Sequence, residues 1–184
     1  MRPTLTAWET TGGSIMTLPL DSRMQVGFMA RMPNRREAIA TVELAEENGF
    51  DSLWLGDHLA FAVPIMDPLL QLAQAAALSD KLTVATGVYL LALRHPVPVA
   101  KMTATLDHLS DGRFIFGAGV GGEFPGEFAA AGVPHNERGG RTSESIQVLR
   151  KLWTGEKVGH DGKYFQIPPT QMLPAPVQAG GPPV

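Results

Sequence analysis

An α/β chain with parallel strands, matching the first four units of a (β/α)8 barrel, is the fold that this 184-residue sequence predicts. Three observations lead there. Short β-rich apolar runs begin near residues 25, 52, 82 and 113, close to the ~31 residues that a barrel of ~250 allots to each unit. Every intervening stretch is long enough for a crossover helix, which parallel neighbours need and hairpins do not. Glycine and proline number 20 and 15, an excess that suits many loops joining short elements.

The elements follow in order. Residues 1–23 mix Thr, Gly, Ser and Pro without a sustained period and are expected to form a loose lead-in; Met16 within it is an alternative start. Residues 24–156 carry the four units. Gln25–Ala30 reads as a buried strand, and Asn34 with Glu37 three positions on is a helix start. Ala38, Ile39, Val42 and Ala45 share one face of that helix, and Gly49 stops it. Ser52–Gly56 is the second strand; Asp67-Pro68 opens a helix through Ser79, with proline in its first turn. Leu82–Leu91 is the third β-rich run, interrupted by Gly87, and Pro98–Leu109 the third helix. After the turn Ser110-Asp111-Gly112, Arg113–Gly117 is the fourth strand, followed by a glycine-rich loop. Thr142–Trp153 is the fourth helix, with Ile146, Leu149 and Trp153 at core spacing.

Residues 157–184 depart from the repeat. Tyr164–Ile167 resembles a short strand after the turn His160-Asp161-Gly162-Lys163, and from Pro168 onward the proline content predicts an irregular, extended path. Pro182-Pro183-Val184 is where a fifth buried strand would start. The expectation is an insertion leading into a missing strand, hence a truncated barrel with two open sheet edges. A complete flavodoxin-like open sheet is the competing fold, but it calls for a closing helix here.

Composition narrows the function. Fifteen Lys+Arg against eighteen Asp+Glu give a net charge of −3 without a basic stripe, so no nucleic-acid partner is expected. No apolar run approaches the ~20 residues of a membrane span. The first residues lack the pattern of a secretory signal, and cysteine is absent, so a cytoplasmic location is expected.

Candidate chemistry lies at the strand ends. Asp57-His58 directly follows the second strand, where barrel enzymes place catalytic groups. An imidazole there can take or give a proton near neutral pH; the plain alternative is a loop histidine beside a helix-capping acid. Gly87, within Thr86-Gly87-Val88, marks either a ligand approach or a simple strand kink. Gly117–Gly122 matches GxGxxG, but a dinucleotide site needs a helix directly after it in a first βαβ unit. Here Pro125 and Gly126 interrupt such a helix, so a loop whose Gly119 and Gly121 admit a planar ring fits better. Arg138 and Arg141 either hold an anion or pair with Glu137 and Glu144, the latter being the default. His95, His108, Trp54 and Trp153 read as structural. The five histidines show no metal-ligand spacing, so no metal is expected, and neither GxSxG nor a P-loop occurs.

Five segments in register carry a resemblance: Asn48–His58 (NGFDSLWLGDH), Leu93–Lys101 (LRHPVPVAK), Leu106–Arg113 (LDHLSDGR), Gly117–Glu123 (GAGVGGE) and Arg138–Glu144 (RGGRTSE). Together, over roughly residues 24–181, the chain resembles the luciferase-like monooxygenases, and Asp57-His58 with the LRHP run is most similar to their coenzyme F420-dependent branch. The resemblance implies a barrel with a deazaflavin or flavin at the carboxyl ends of the strands. It implies His58 near the reacting carbon, Asp57 toward the cofactor ring, and a cis peptide at Gly87-Val88 supporting that ring. Thr86, Gly119 and Gly121 complete the implied cofactor set, and Glu123 becomes an acid opposite His58, or else a solvated loop acid. The implied activity is redox chemistry on a small organic substrate with F420, or oxygenation with FMN as the alternative. The absent second half normally supplies much of the cofactor-tail site. A non-catalytic flavin-binding or dimerising half-barrel is therefore the rival from another class, and a homodimer the expected assembly.

Overall fold

A computed structural model describes residues 23–184; the expected lead-in lies almost wholly outside the described residues. Strand β1 (Gly27–Met29), helix α1 (Arg35–Glu47), β2 (Ser52–Leu55), α2 (Pro68–Leu78) and β3 (Thr83–Thr86) alternate as the repeat predicts. They are followed by β4 (Tyr89–Leu90), α3 (Pro96–Leu109), β5 (Phe114–Ile115) and β6 (Ala118–Gly119). Strands β1, β2, β3 and β5 form one sheet in that order, every pair parallel.

The local causes are visible at the helix ends. The Asn34 side chain accepts the Glu37 N–H at 3.0 Å and donates to its carboxylate at 2.8 Å, closing the first turn of α1. Asp67 accepts from the N–H groups of Leu69 and Leu70 ahead of Pro68. Helix α3 starts at Pro96, two residues before the expected Pro98, because His95 caps it by accepting from the Val97 N–H.

Leu53, Leu55, Val84 and Phe114 point from the strands onto the helices, where they meet Val42, Leu72, Val99 and Leu149 in one buried cluster. The opposite row, Met29, Trp54, Ala85 and Ile115, is in cross-strand register. Ala85 is fully buried, but the rest of the row is only partly covered: Met29 is 60% exposed, and Met29, Trp54 and Ile115 border a cleft of about 380 Å³. Helices thus pack on one face of the sheet alone among the described residues.

The expected third strand is split, and the expected fourth is shortened to β5, with β6 lying in the glycine-rich run expected as a loop. β3 ends at Thr86, the cis peptide Gly87–Val88 follows, and β4 resumes beyond it. A like break separates β5 from β6, and β4 pairs with β6 in parallel. Thr86 Oγ1 and the Tyr89 N–H both donate to the Gly117 carbonyl, at 2.9 and 2.7 Å, bridging the break.

Three expectations are corrected beyond this point. Pro125 does not prevent a helix but opens one, α4 (Pro125–Ala130), since proline fits the first helical position. Helix α5 (Arg138–Leu152) starts four residues before Thr142. The segment from Pro168 is a strand at first: β7 (Lys157–Asp161) and β8 (Gln166–Gln171) form an antiparallel hairpin, with a register shift between Val158 and His160. Prolines 168 and 169 are tolerated because β8 pairs on one side only. Residues 172–184 then follow an irregular path of bends over α3, with a turn at 178–181, held by Gln178, which donates from backbone and side chain to the buried Asp107 carboxylate. At their end the Pro183 carbonyl accepts the Phe116 N–H beside β5. No helix among the described residues is long and apolar enough to cross a membrane.

Candidate functional site

The carboxyl ends of β2, β3, β4 and β6 converge, and two cavities open there. One, of about 480 Å³, is lined by Gly56, Asp57, His58, Gly87, Val88, Leu90 and the run Gly119–Phe124 with Glu127. The other, of about 520 Å³, lies between the ends of β1 and β2. Gly56 and His58 border both.

His58 is held from three sides. Its ring stacks on Phe61 with centroids 4.1 Å apart, and Phe124 stands edge-on to both rings. Its Nδ1 lies 3.0 Å from Oε2 of Glu127. The other oxygen of Glu127 accepts the N–H groups of Leu59 and Ala60 at 2.6 and 2.8 Å. One carboxylate in the first turn of α4 therefore fixes residues 58–60 of the loop after β2. Burial opposes the charged form of Glu127, but the donors from Ala60, His58 and Leu59 outweigh it and hold its pKa below the ordinary value. An ionised carboxylate only accepts, so Nδ1 carries the proton and Nε2 is left for a ligand.

Asp57 borders the glycine-lined cavity, but its carboxylate turns into the protein. Arg94 grips both oxygens, at 2.5 and 2.9 Å, and the Leu90 N–H donates to one of them. Arg94 also lies over the Tyr89 ring at 4.2 Å. Burial works against the Arg94 charge, yet the bonds to Asp57 prevail and keep it protonated. Asp57 is thus a buried anchor that ties the end of β2 to β4 beside the cavity.

The other expected residues divide. Gly87, Val88, Gly119 and Gly121 border the cavity, and the Gly87–Val88 peptide is cis as expected. Thr86 does not reach it: the side chain is fully buried and spent on the Gly117 carbonyl. Glu123 is exposed on the rim, while Glu127, four residues on, is the acid that touches His58. Glu127, Arg94, Phe61 and Phe124 were not anticipated. The signal for Glu127 was available, because Pro125 with an acid two residues later is a helix start.

The cavity wall suits a flat ring. A Cβ on Gly119 would come within 2.3 Å of Val88 Cγ2, so the loop can lie against Val88 only as bare backbone. Gly121 has φ +61°, a conformation that side-chain-bearing residues seldom adopt. Val88 itself is 44% exposed and offers an apolar floor. Outside this region Arg141 pairs with Glu137 at 2.8 Å, whereas Arg138 donates to the His135 carbonyl and Glu144 is taken by the hairpin.

Comparison with known proteins adds the following. A family model described as luciferase-like monooxygenase matches residues 14–184. The F420-dependent glucose-6-phosphate dehydrogenase of Intrasporangium calvum is 34% identical over 166 residues, covering 80% of this chain and 49% of that protein. The oxygenase component of the flavin-dependent trigonelline monooxygenase of Acinetobacter baylyi is 30% identical over 150 residues, covering 80% and 41%. Among solved structures, monooxygenase RslO1 from Streptomyces bottropensis superposes with a TM-score of 0.79 at 29% identity, covering 86% of this chain and 52% of that one. The chain spans about half the length of the curated relatives it matches.

Proposed function

The chain belongs to the luciferase-like monooxygenase family, and from that premise we propose that it serves a flavin-type oxidoreductase, with the cofactor in the glycine-lined cavity and a small organic substrate beside His58. The observation that carries this reading is the placement of His58, which borders both cavities with Nδ1 held by Glu127 and Nε2 left over. The cofactor we propose is F420, with FMN as the alternative; relatives of both kinds are similar to the chain over most of its length.

Val88 and the main chain at Gly56, Gly87 and Gly119–Gly121 would hold the ring system. When bound, such a cofactor supplies the two-electron redox chemistry. His58 Nε2 accepts or returns the proton of the reacting substrate group, while Glu127 stabilises the imidazolium that forms and keeps the ring oriented. Phe61 and Phe124 shield that proton exchange from water. Glu123 on the rim is a second acid within the same cavity.

Titration of the purified chain with F420 and, separately, with FMN tests the proposal through cofactor fluorescence. Saturable quenching by F420, removed by Gly119→Leu, is the expected result. Saturation by FMN alone replaces F420 by FMN. No saturable change with either overturns the proposal and leaves a non-catalytic module.

A further inference from the structure

The cavity between the ends of β1 and β2 is chemically unlike its neighbour. Its wall is built from Met29, Met32, Met66, Leu55, Phe61 and Ile65, with two prolines closing it. Three of the chain's eight methionines thus meet in one place. Thioether side chains are flexible and polarisable, so such a wall fits apolar guests of varied outline.

The polar side chains at this wall are Arg31, His58 and Gln71. Gln71 is nearly buried, and its amide nitrogen donates to the Met32 carbonyl and faces the Met66 sulfur at 3.6 Å. Arg31 donates to the Pro64 carbonyl at 3.2 Å and is the sole cation at the wall among the described residues. A polyhydroxylated or phosphorylated guest needs a hydrogen-bond partner for each buried hydroxyl, and leaving one unmet costs affinity. This wall has few to give: the Gln71 amide nitrogen is taken, and Arg31, at the exposed edge, spends one N–H on the Pro64 carbonyl.

We infer that this cavity is a binding site for a neutral, largely apolar organic molecule whose single polar group is presented to His58, and that it disfavours sugar phosphates. The inference rests on the reading of His58 given above but concerns the second cavity that this residue borders. It also separates this chain from the relative that acts on glucose 6-phosphate, despite 34% identity.

The test is a titration of methyl-¹³C-methionine-labelled protein with indole and, in a second arm, with glucose 6-phosphate. Met29, Met32 and Met66 should shift together and saturably with indole, while Met102 and Met172 stay in place. Glucose 6-phosphate should leave all five unmoved. Met66→Glu, at a half-exposed position, should weaken indole binding at least tenfold as read at Met29 and Met32; if that variant loses its folded methyl dispersion, Met66→Thr carries the same comparison. Absence of saturable shifts with indole, or equal binding of glucose 6-phosphate, overturns the inference. Cofactor binding is read independently, from the Gly119 and Gly121 amides. A protein that takes indole but neither F420 nor FMN upholds this site while removing the proposed cofactor, and the converse outcome does the reverse.

Discussion

Glu127 receives three donors from a loop nearly seventy positions earlier in the chain, and through one of them it decides which nitrogen of His58 holds a proton. In Glu127→Ala the Nδ1 tautomer loses its acceptor, so imidazole ¹⁵N spectra should show the proton moving toward Nε2. The same change should lower stability by about 1–3 kcal/mol in urea unfolding, the usual cost of orphaned donors. The acid dependence has a definite sign. A carboxylate whose folded pKa is lowered stabilises fully above its unfolded value of about 4.3 and stops doing so as pH falls through the folded one. Wild type should therefore lose more stability than Glu127→Ala as pH drops below about 4.3. Asp57 is predicted differently. Asp57→Asn leaves the largely buried Arg94 with only the more exposed Asp67 carboxylate, 3.9 Å away, as counter-charge, so urea unfolding should register a loss of up to about 3–5 kcal/mol. The position of His58 just past a β-strand was legible as a pattern. Its partner was not, because nothing local links residues 58 and 127.

At the scale of elements, capping residues and hydrophobic spacing announced the helices, while strands whose identity depends on a partner stayed hidden. Pro168 and Pro169 argue against a strand when read alone; β8 exists because β7 supplies its ladder. Glu144 is the main polar anchor of that hairpin, beside Lys151 and the buried Phe165 and Ile167. Glu144 accepts the N–H groups of Tyr164 and Phe165 and lies 3.2 Å from His160 Nε2. Burial raises its pKa, but the Phe165, Tyr164 and His160 donors prevail and hold it below the usual range. Glu144→Gln should accelerate amide exchange at Tyr164 and Phe165 at least tenfold and leave α1 and β2 unaffected, as hydrogen-exchange mass spectrometry can read. Acidification below about 4.3 should loosen the same hairpin in wild type. The breaks between β3 and β4 and between β5 and β6 belong here as well: Gly87 signalled the first, but the matching break at residues 116–117 follows from the β4–β6 pairing.

For the whole molecule, the partly covered row of Met29, Trp54 and Ile115 on the helix-free side of the sheet is the main consequence. Apolar area left in contact with water favours association. Sedimentation velocity should show the mean mass rising above that of one chain with concentration, and Met29→Lys should suppress the rise by placing a charge in that row. A strictly monomeric wild type would exclude the homodimer we expect. By itself the sequence determined the alternation of strands and helices in the first four units, their parallel order and the stretch that holds the candidate site, since period, caps and turn residues act within a few positions. Only the tertiary structure decided that Glu127 rather than Glu123 meets His58, that Asp57 is consumed by Arg94, and that two chemically distinct cavities share one histidine. Those outcomes depend on groups thirty to seventy residues apart coming within hydrogen-bonding distance, and no local pattern of side chains encodes such a distance.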